Sequence, residues 1–401
     1  MSLLLKNCRI LVNDKVYSKN ILVKNGKISK ITGKEPKSDS TLDARGNFVL
    51  PGLIDCHVHF REPGLTHKED FLSGSMAAAK GGVTTILDMP NSIPPTTTLE
   101  ALEEKRKLAA KSVVNYGLIF GASNENLYDI KKAKGIAAVK IYMDYTTGEM
   151  KIDDYEFISD ILKESRLTVA HAEGDNVKNI IDIMVKNKIK NKLHVAHVSS
   201  KKEMDYAKQN KLKNQVSVEV SPHHLFMNEK DIQTLGAFAE MKPGLKTEHD
   251  QKALWDGIQN GMVDTIATDH APHLREEKEL GNYPFGVPGL ETMLPLLLNA
   301  FNENRIKISQ IIRLCCENPA KIFKIKNKGF LKEGYDADLV IVDLYKRQAV
   351  RNEDLLTKCK WSPFEGKILK GWPITTIVNG NVVFDEGKIN DIKAKEVEYG
   401  R

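Results

Sequence analysis

Two histidines one residue apart, His57 and His59, end an apolar run, LIDCHVH. Side chains of an extended strand alternate between faces, so both imidazoles point the same way. That geometry suits two ligands to one ion, although two ordinary polar residues at a strand end would look the same. Three more polar residues close apolar runs in the same manner: His171 in TVAHAEG, His197 in LHVAHVSS and Asp269 in TIATDHAPH. Each alone reads as a structural residue. Together, four histidines and an aspartate at equivalent places imply a metal centre. His67, His194, His223, His224 and His249 do not all follow the pattern and read as surface or supporting residues. Lys140 lies inside another apolar run, AAVKIYM. Burial would depress its pKa, and a neutral amine can take up carbon dioxide as a carbamate, an anionic ligand with two oxygens. On the residues alone, a lysine paired with a core carboxylate or reaching the surface is the stronger account.

The elements that must position these residues are legible as alternating patterns. Candidate strands are Leu53–His57, Val83–Met89, Val113–Phe120, Ala137–Met143, Leu167–His171, Leu193–Val198, Val216–Val220 and Val263–Thr268. Amphipathic helical patterns cover Lys68–Lys80, Leu99–Lys111, Asp153–Glu164, Lys201–Gln209 and Asp250–Asn260. Strands separated by helices in this number predict an α/β fold, a (β/α)8 TIM barrel. The C-terminal strand ends of such a barrel converge on one mouth, so residues far apart in sequence share a pocket there. A doubly wound sheet would need a Gly-rich phosphate turn after the first strand, and DCHVHFREPG is not one. Both chain ends are β-rich, with Asn379-Gly380 marking a hairpin. The expected organisation is a small composite β-sandwich domain from residues 1–50 and 335–401, around a barrel at 51–334.

Composition narrows the class. The 401 residues carry 59 basic and 53 acidic side chains, interleaved to a formal net charge of +6. No basic stripe or stacking motif suggests nucleic acid, and no apolar run suggests a membrane span. An odd count of five cysteines, without paired spacing, predicts a reducing, cytoplasmic compartment.

The motifs in order resemble the amidohydrolase superfamily, and DCHVHFREPGLTHKED, LDMPN and ATDHAPH are similar to the class I dihydroorotases. NGKISKI, NFVLPGLID, KGFLKEGYDADLVIVD and IVNGNVVFDEG are similar to that superfamily's composite β domain and its junctions. The resemblance covers nearly the whole chain. It implies two zinc ions, the more buried held by His57, His59 and Asp269, the more exposed by His171 and His197. Lys140, as N6-carboxylysine, would bridge both together with a hydroxide, which reverses the reading made from the residues alone. Asp269 would be the general acid/base. Arg61, Asn91 and His273 would gather the carboxylate of a small-molecule substrate, and the backbone of Phe285 and Gly286 would meet its ring amides. The implied reaction is the reversible cyclisation of N-carbamoyl-L-aspartate to (S)-dihydroorotate in pyrimidine biosynthesis. A hydantoinase or allantoinase-type cyclic amidohydrolase is the alternative, and the carboxylate residues favour the first. A scaffold protein without activity would lose ligands, and all six are present. One departure is Met241-Lys242-Pro243-Gly244-Leu245-Lys246, where relatives often carry arginine; Lys242 offers a point charge instead of a fork. Either Met143–Met150 or the long loop Ala271–Gly289 would move over bound substrate. Some relatives assemble with aspartate transcarbamoylase; no residue run here marks that surface, nor one for homo-oligomerisation.

Overall fold

The computed structural model describes residues 2–146, 150–209, 215–281 and 284–400. The N-terminal strands are β1 (Ser2–Val12), β2 (Lys15–Lys24), β3 (Lys27–Thr32), β4 (Ser40–Asp43) and β5 (Phe48–Pro51). The middle strands are β6 (Leu53–Val58), β7 (Val83–Asp88), β8 (Asn115–Leu118), β9 (Phe120–Gly121), β10 (Val139–Tyr142), β11 (Leu167–His171), β12 (Lys192–Val195), β13 (Val216–Val220) and β14 (Thr265–Ile266). Between them run α1 (Phe71–Lys80), α2 (Leu99–Ala109), α3 (Leu127–Lys132), α4 (Tyr155–Glu164), α5 (Asp175–Lys186), α6 (Lys201–Gln209), α7 (Pro222–Phe226), α8 (Ile232–Leu235) and α9 (Glu248–Gln259), and α10 (Arg275–Glu279) and α11 (Met293–Asn302) follow. The chain ends in β15 (Leu339–Ala349), β16 (Ile368–Val378), β17 (Asn381–Asp385) and β18 (Lys388–Ile389).

The middle is mixed α/β with parallel sheets. One runs β6-β7-β8 and the other β9-β10-β11-β12-β13-β14. Ile119 alone separates β8 from β9, and its N–H donates to Asp88 O at 3.0 Å. At the other edge Val58 forms a parallel bridge with His270, and His59 N donates to His270 O at 2.8 Å. Alternation along each strand sorts side chains into two cores. Outward residues such as Val139, Ile141, Val216 and Val218 join the helices in the main core. Residues of the opposite face, among them Ile54, Cys56, Leu87, Ala138, Val169 and Ala196, form a separate cluster with Phe323, Ile325 and Val397.

The termini make one nine-stranded sheet, ordered β18-β17-β16-β15-β5-β1-β2-β3 with β4 beside β1. A sandwich of two sheets was the expectation; β5 instead ties them, touching β1 and pairing antiparallel with β15. The Asn25-Gly26 and Asn379-Gly380 turns take positive φ at both residues, which suits tight hairpins. Leu339 and Ile341 of β15 face the small core of this sheet, while Val340 and Val342 face the main core. Two stretches expected in this β unit pack elsewhere. Residues 350–367 leave the sheet between β15 and β16 and bury Val350, Cys359, Trp361 and Phe364 against Met227, Met241, Leu245 and Val287. Near the C-terminus, Glu396 bridges to Tyr116 and Tyr399 to Ile325. Apolar side chains in both stretches find their burial against the α/β part, which a reading by β-propensity cannot foresee.

Strands Leu167–His171 and Val216–Val220 match expectation to the residue. The last middle strand is shorter than expected because Thr268 turns onto Asp55: its N–H and Oγ1 donate to that carboxylate at 3.1 and 2.6 Å. Helix α1 begins at Phe71, three residues later than expected, because Asp70 caps Ser73 N in a reciprocal capping box. Helices α5 and α11 were not anticipated.

Candidate metal centre and its rim

Alternation and strand ends bring the singled-out residues to one place. His57 lies in β6, Lys140 in β10 and His171 ends β11; His197 and Asp269 follow β12 and β14. Asp269 Oδ1 lies 3.1 Å from His59 Nε2 and 3.3 Å from His57 Nε2. His171 Nδ1 and His197 Nε2 approach to 2.8 Å, with ring centroids 4.5 Å apart. The rings of His57 and His197 are 5.3 Å apart, joining the two groups. Lys140 Nζ is 5.2 Å from the centroid of Tyr142, whose ring is 5.9 Å from that of His171. His197 and Asp269 hold positive φ, 36° and 49°. For non-glycine residues that is uncommon and clusters at functional sites.

Three of the four imidazoles are supported through their second nitrogen, and His197 Nδ1 is the exception. His57 Nδ1 meets Glu219 Oε1 at 2.7 Å, His59 Nδ1 meets Asn91 Oδ1, and His171 Nε2 meets Glu173 Oε1 at 3.3 Å. Such contacts fix ring tautomer and orientation. Glu219, in β13, had no part in the sequence reading. Its oxygens also take His197 N at 3.0 Å, His194 Nε2 at 3.1 Å and the Cys56 thiol at 3.4 Å. The available signal was a carboxylate inside VSVEV, on the face opposite its valines. Glu173 and Asp55 were missed as well. His194, set aside earlier, is buried against Phe323 and belongs to the Glu219 network. His223 and His224 are buried, whereas His67 and His249 are exposed.

Electrostatics follow from burial. Burial lowers the Lys140 pKa to about 8. Burial, then Lys140, lowers His57; burial, then Arg61, holds His59 well below its ordinary value; burial, then His171, does the same to His197. All three rings are therefore neutral with lone pairs to offer. Burial raises the Asp269 carboxyl. Burial works to raise Glu219 too, but His57 and His194 outweigh it and keep it ionised. Burial pushes Asp55 up to about 7.

The donor set fits a metal ion. His57, His59 and Asp269 offer ligand atoms within 4.8 Å of one another. Lys140 Nζ and His197 Nδ1 are buried and have no hydrogen-bond partner among the described residues. A buried polar atom left unpaired costs about 1–3 kcal/mol, so such atoms mark sites kept for something other than stability.

Beside this focus lies a cationic rim. Arg61 is 3% exposed; its Nε donates to Pro272 O at 3.2 Å and its Nη2 lies 3.0 Å from His273 Nε2. Burial lowers the Arg61 pKa only to about 10, so it stays charged at neutral pH. Burial, then Arg61, holds the His273 imidazole far below its ordinary value and thus neutral. Two glycines allow close approach here. A Cβ on Gly64, at φ +88°, would lie 2.0 Å from Ile93 O, and one on Gly286, at φ +138°, 2.5 Å from Ala271 O. Gly286 N donates to Glu240 O at 3.0 Å, and Phe285 O accepts from His273 Nε2 at 3.0 Å, so both backbone groups are engaged within the protein. Lys242 stands 5.1 Å over the Phe285 ring. Of the two loops expected to close, residues 147–149 and 282–283 lie outside the described residues.

Comparison with known proteins agrees with this arrangement. A dihydroorotase of Methanosarcina acetivorans is 38% identical over 96% of this chain and 92% of its own. The multifunctional protein CAD of Squalus acanthias is 37% identical over 90% of this chain, which spans 16% of that protein. The solved L-hydantoinase (dihydropyrimidinase) of Arthrobacter aurescens superposes with a TM-score of 0.94 at 30% identity, over 98% of this chain and 99% of that one. The model of the amidohydrolase family matches residues 48–383, from β5 through most of β17 and across every polar residue described above, and the chain belongs to that family.

Proposed function

We propose that this protein is a dihydroorotase, closing N-carbamoyl-L-aspartate to (S)-dihydroorotate and reopening it, in pyrimidine biosynthesis. The observation that carries the reading is the buried Arg61–His273 pair beside the His/Asp cluster. A buried guanidinium, which has more N–H groups than these two contacts use, suits a carboxylate. Dihydroorotate has one next to its cyclic amide, and the hydantoin ring does not. The whole-chain likeness to several dihydroorotases supports the same choice. Close superposition on an L-hydantoinase keeps a cyclic amidohydrolase of that type as the second reading.

The two parallel sheets are read as one closed (β/α)8 barrel. Continuity of β8 into β9 and the Val58–His270 bridge support closure at both seams. The nine-stranded terminal sheet is a small domain beside it, with 350–367 and the last residues lent to the barrel. His57, His59 and Asp269 would hold one zinc ion, His171 and His197 a second, and Lys140, carboxylated, would bridge them. Bound there, the cations would supply a water of lowered pKa and polarise the ring carbonyl. Asp269 takes the proton of the attacking water through a carboxylate oxygen and hands it to the ring nitrogen as the amide opens. In the forward direction it returns that proton to the departing oxygen. Arg61 and His273, with Asn91, orient the carboxylate and so set the ring over Asp269; Phe285 and Gly286 form the wall of the pocket. Glu219, Asn91 and Glu173 hold the three imidazoles in the tautomers that leave their inner nitrogens unprotonated. Among the described residues no helix is long and apolar enough to cross a membrane. A cytoplasmic place is part of this proposal, and the CAD relative makes association with other pathway enzymes a reasonable extension of it.

The test is turnover of dihydroorotate and hydantoin by the purified protein, with metal content measured on the same sample. Preference for dihydroorotate with about two zinc ions per chain supports the proposal. Preference for hydantoin, or a stable metal-free protein without activity, defeats it.

A further inference from the structure

Lys68 lies in the segment between β6 and α1 and has no role in the reaction as set out above. Its side chain is 11% exposed and its ammonium reaches Glu277 Oε1 at 2.9 Å and His273 Nδ1 at 3.1 Å. An ammonium has donors and no acceptor, so Nδ1 of His273 must be the accepting nitrogen. A neutral imidazole then carries its hydrogen on Nε2. That N–H meets Phe285 O at 3.0 Å. The ring is held by its own backbone as well, because Trp361 Nε1 donates to His273 O at 2.7 Å.

One contact in this set does not satisfy itself. Arg61 Nη2 lies 3.0 Å from the same His273 Nε2, and a guanidinium is all donors. With Lys68 in place, two N–H groups face each other, both buried. The other tautomer would let Nε2 accept from Arg61, but it would give up the bond to Phe285 O and leave Nε2 no hydrogen to offer a ligand. Lys68 forbids that tautomer. An anionic oxygen beside the pair can take an Nη2 hydrogen of Arg61 together with the His273 Nε2 hydrogen, which it would draw from Phe285 O.

We propose that Lys68 is a positioning residue for recognition of a substrate carboxylate: it fixes His273 as an Nε2–H donor and so keeps the Arg61–His273 pair open as a two-donor clamp for an anionic oxygen. Glu277 keeps the ammonium aimed at Nδ1. The inference deepens the dihydroorotase reading and rests on it. It adds that discrimination for an acidic ring over a neutral one is set partly by a residue that need not touch the substrate.

The experiment uses the full-length metal-loaded enzyme and the variants Lys68→Met, which loses the donors, and Lys68→Arg, which keeps them. Steady-state constants are measured for dihydroorotate and for 5,6-dihydrouracil, the same ring without the carboxylate. Thermal unfolding is followed alongside. The nitrogen resonances of 15N-labelled histidine are recorded, His273 being assigned by its absence from His273→Gln. In Lys68→Met, KM for dihydroorotate is expected to rise ~10-fold or more, the scale of a lost charge-assisted contact, with the loss falling on KM rather than kcat. The His273 Nε2 and Nδ1 resonances should move toward the other tautomer, and Lys68→Arg should restore both readouts. An unchanged KM with a folded protein, or an unchanged tautomer, overturns the role of Lys68 while the preference of the wild type for dihydroorotate stands. A wild type that turns over both rings alike overturns the carboxylate clamp and the dihydroorotase reading together.

Discussion

Glu219→Gln isolates what the buried carboxylate under the metal centre does. Four donors meet its two oxygens: His57 Nδ1 and His197 N on Oε1, His194 Nε2 and the Cys56 thiol on Oε2. Glutamine keeps one oxygen, which can serve the first pair, and turns its amide toward the second. His194 can adapt, because Ser217 Oγ, 2.8 Å from its Nδ1, can accept as well as donate and has Leu193 O at 3.3 Å for its own hydrogen. The cost is then two bonds to an ion made neutral, a difference of about 1 kcal/mol each, plus a thiol without an acceptor. The expected loss is ~2–4 kcal/mol in the metal-free protein, read as a lower urea midpoint at unchanged slope. Loosening His57 and His197 together should weaken metal binding ~10–100-fold, measured by competition with a chromophoric chelator. A stability change within ~0.5 kcal/mol and an unchanged affinity would refute the argument, since a surface-like response is what an unimportant carboxylate gives.

Asp269→Ala is expected to fold and to lose at least ~100-fold in turnover, the usual scale for a missing proton-transfer group; substantial residual activity would remove Asp269 from that role. Lys140→Ala should lose metal and activity together, and the intact mass of the wild type should exceed its sequence mass by one carbon dioxide; an unmodified lysine in the active enzyme would exclude the carbamate bridge. Lys328→Met should cost ~3–5 kcal/mol near pH 7, because Lys328 is buried against Asp338 at 2.6 Å and Asp336 at 3.1 Å. Burial works against the ammonium there, but the two aspartates outweigh it and raise its pKa, so its contribution is lost only as pH climbs through that raised value. Asp336, whose burial is outweighed by Lys328 and Lys27, has a lowered pKa and contributes above its unfolded value, losing this as pH falls through the folded one. Denaturation of wild type and variant across pH should show the gap widest between those limits, and a gap independent of pH would contradict it.

Much of this was legible because the chemistry sits where periodicity breaks. His57, His171, His197 and Asp269 interrupt or end apolar runs, and a strand reader meets them automatically. Lys140 was legible as an anomaly but not as a function: the same lysine in the same run would serve a salt bridge, and only resemblance tipped the reading. Glu219 was missed because a carboxylate in a strand reads as solvent-facing, and its buried partners are contributed by β6 and β12, over twenty residues away in each case. Lys68 was hidden in a polar stretch, THKED, where a charge looks like surface. The composite sheet was visible from β-formers at both ends. The departure of 350–367 was not, since its destination is set by Trp361 and Cys359 finding apolar partners on distant loops.

The way the rim is fastened explains why the terminal sheet belongs to the working protein. Glu69, buried beside α1, receives Thr357 Oγ1 and, more weakly, Lys358 N at 3.3–3.4 Å; Lys358 Nζ reaches Asp70 at 2.5 Å; and Glu291 takes the N–H groups of Leu356 and Thr357 at 2.9–3.1 Å. Four residues farther on, Trp361 holds the carbonyl of His273. The excursion from the sheet thus clamps α1, the start of α11 and His273 to one another. Around the focus, Lys140 Nζ and the outer nitrogen of His197, Nδ1, stay unpaired and buried, at about 1–3 kcal/mol each. A site that is destabilising at its centre can hold its geometry only if its surroundings over-determine it. The salt-bridged junction at Lys328 and the strap at 350–367 supply that constraint from outside the parallel sheets. Loosening either should therefore reach the rim before it reaches His57 and His197, because those two are held from within by Glu219.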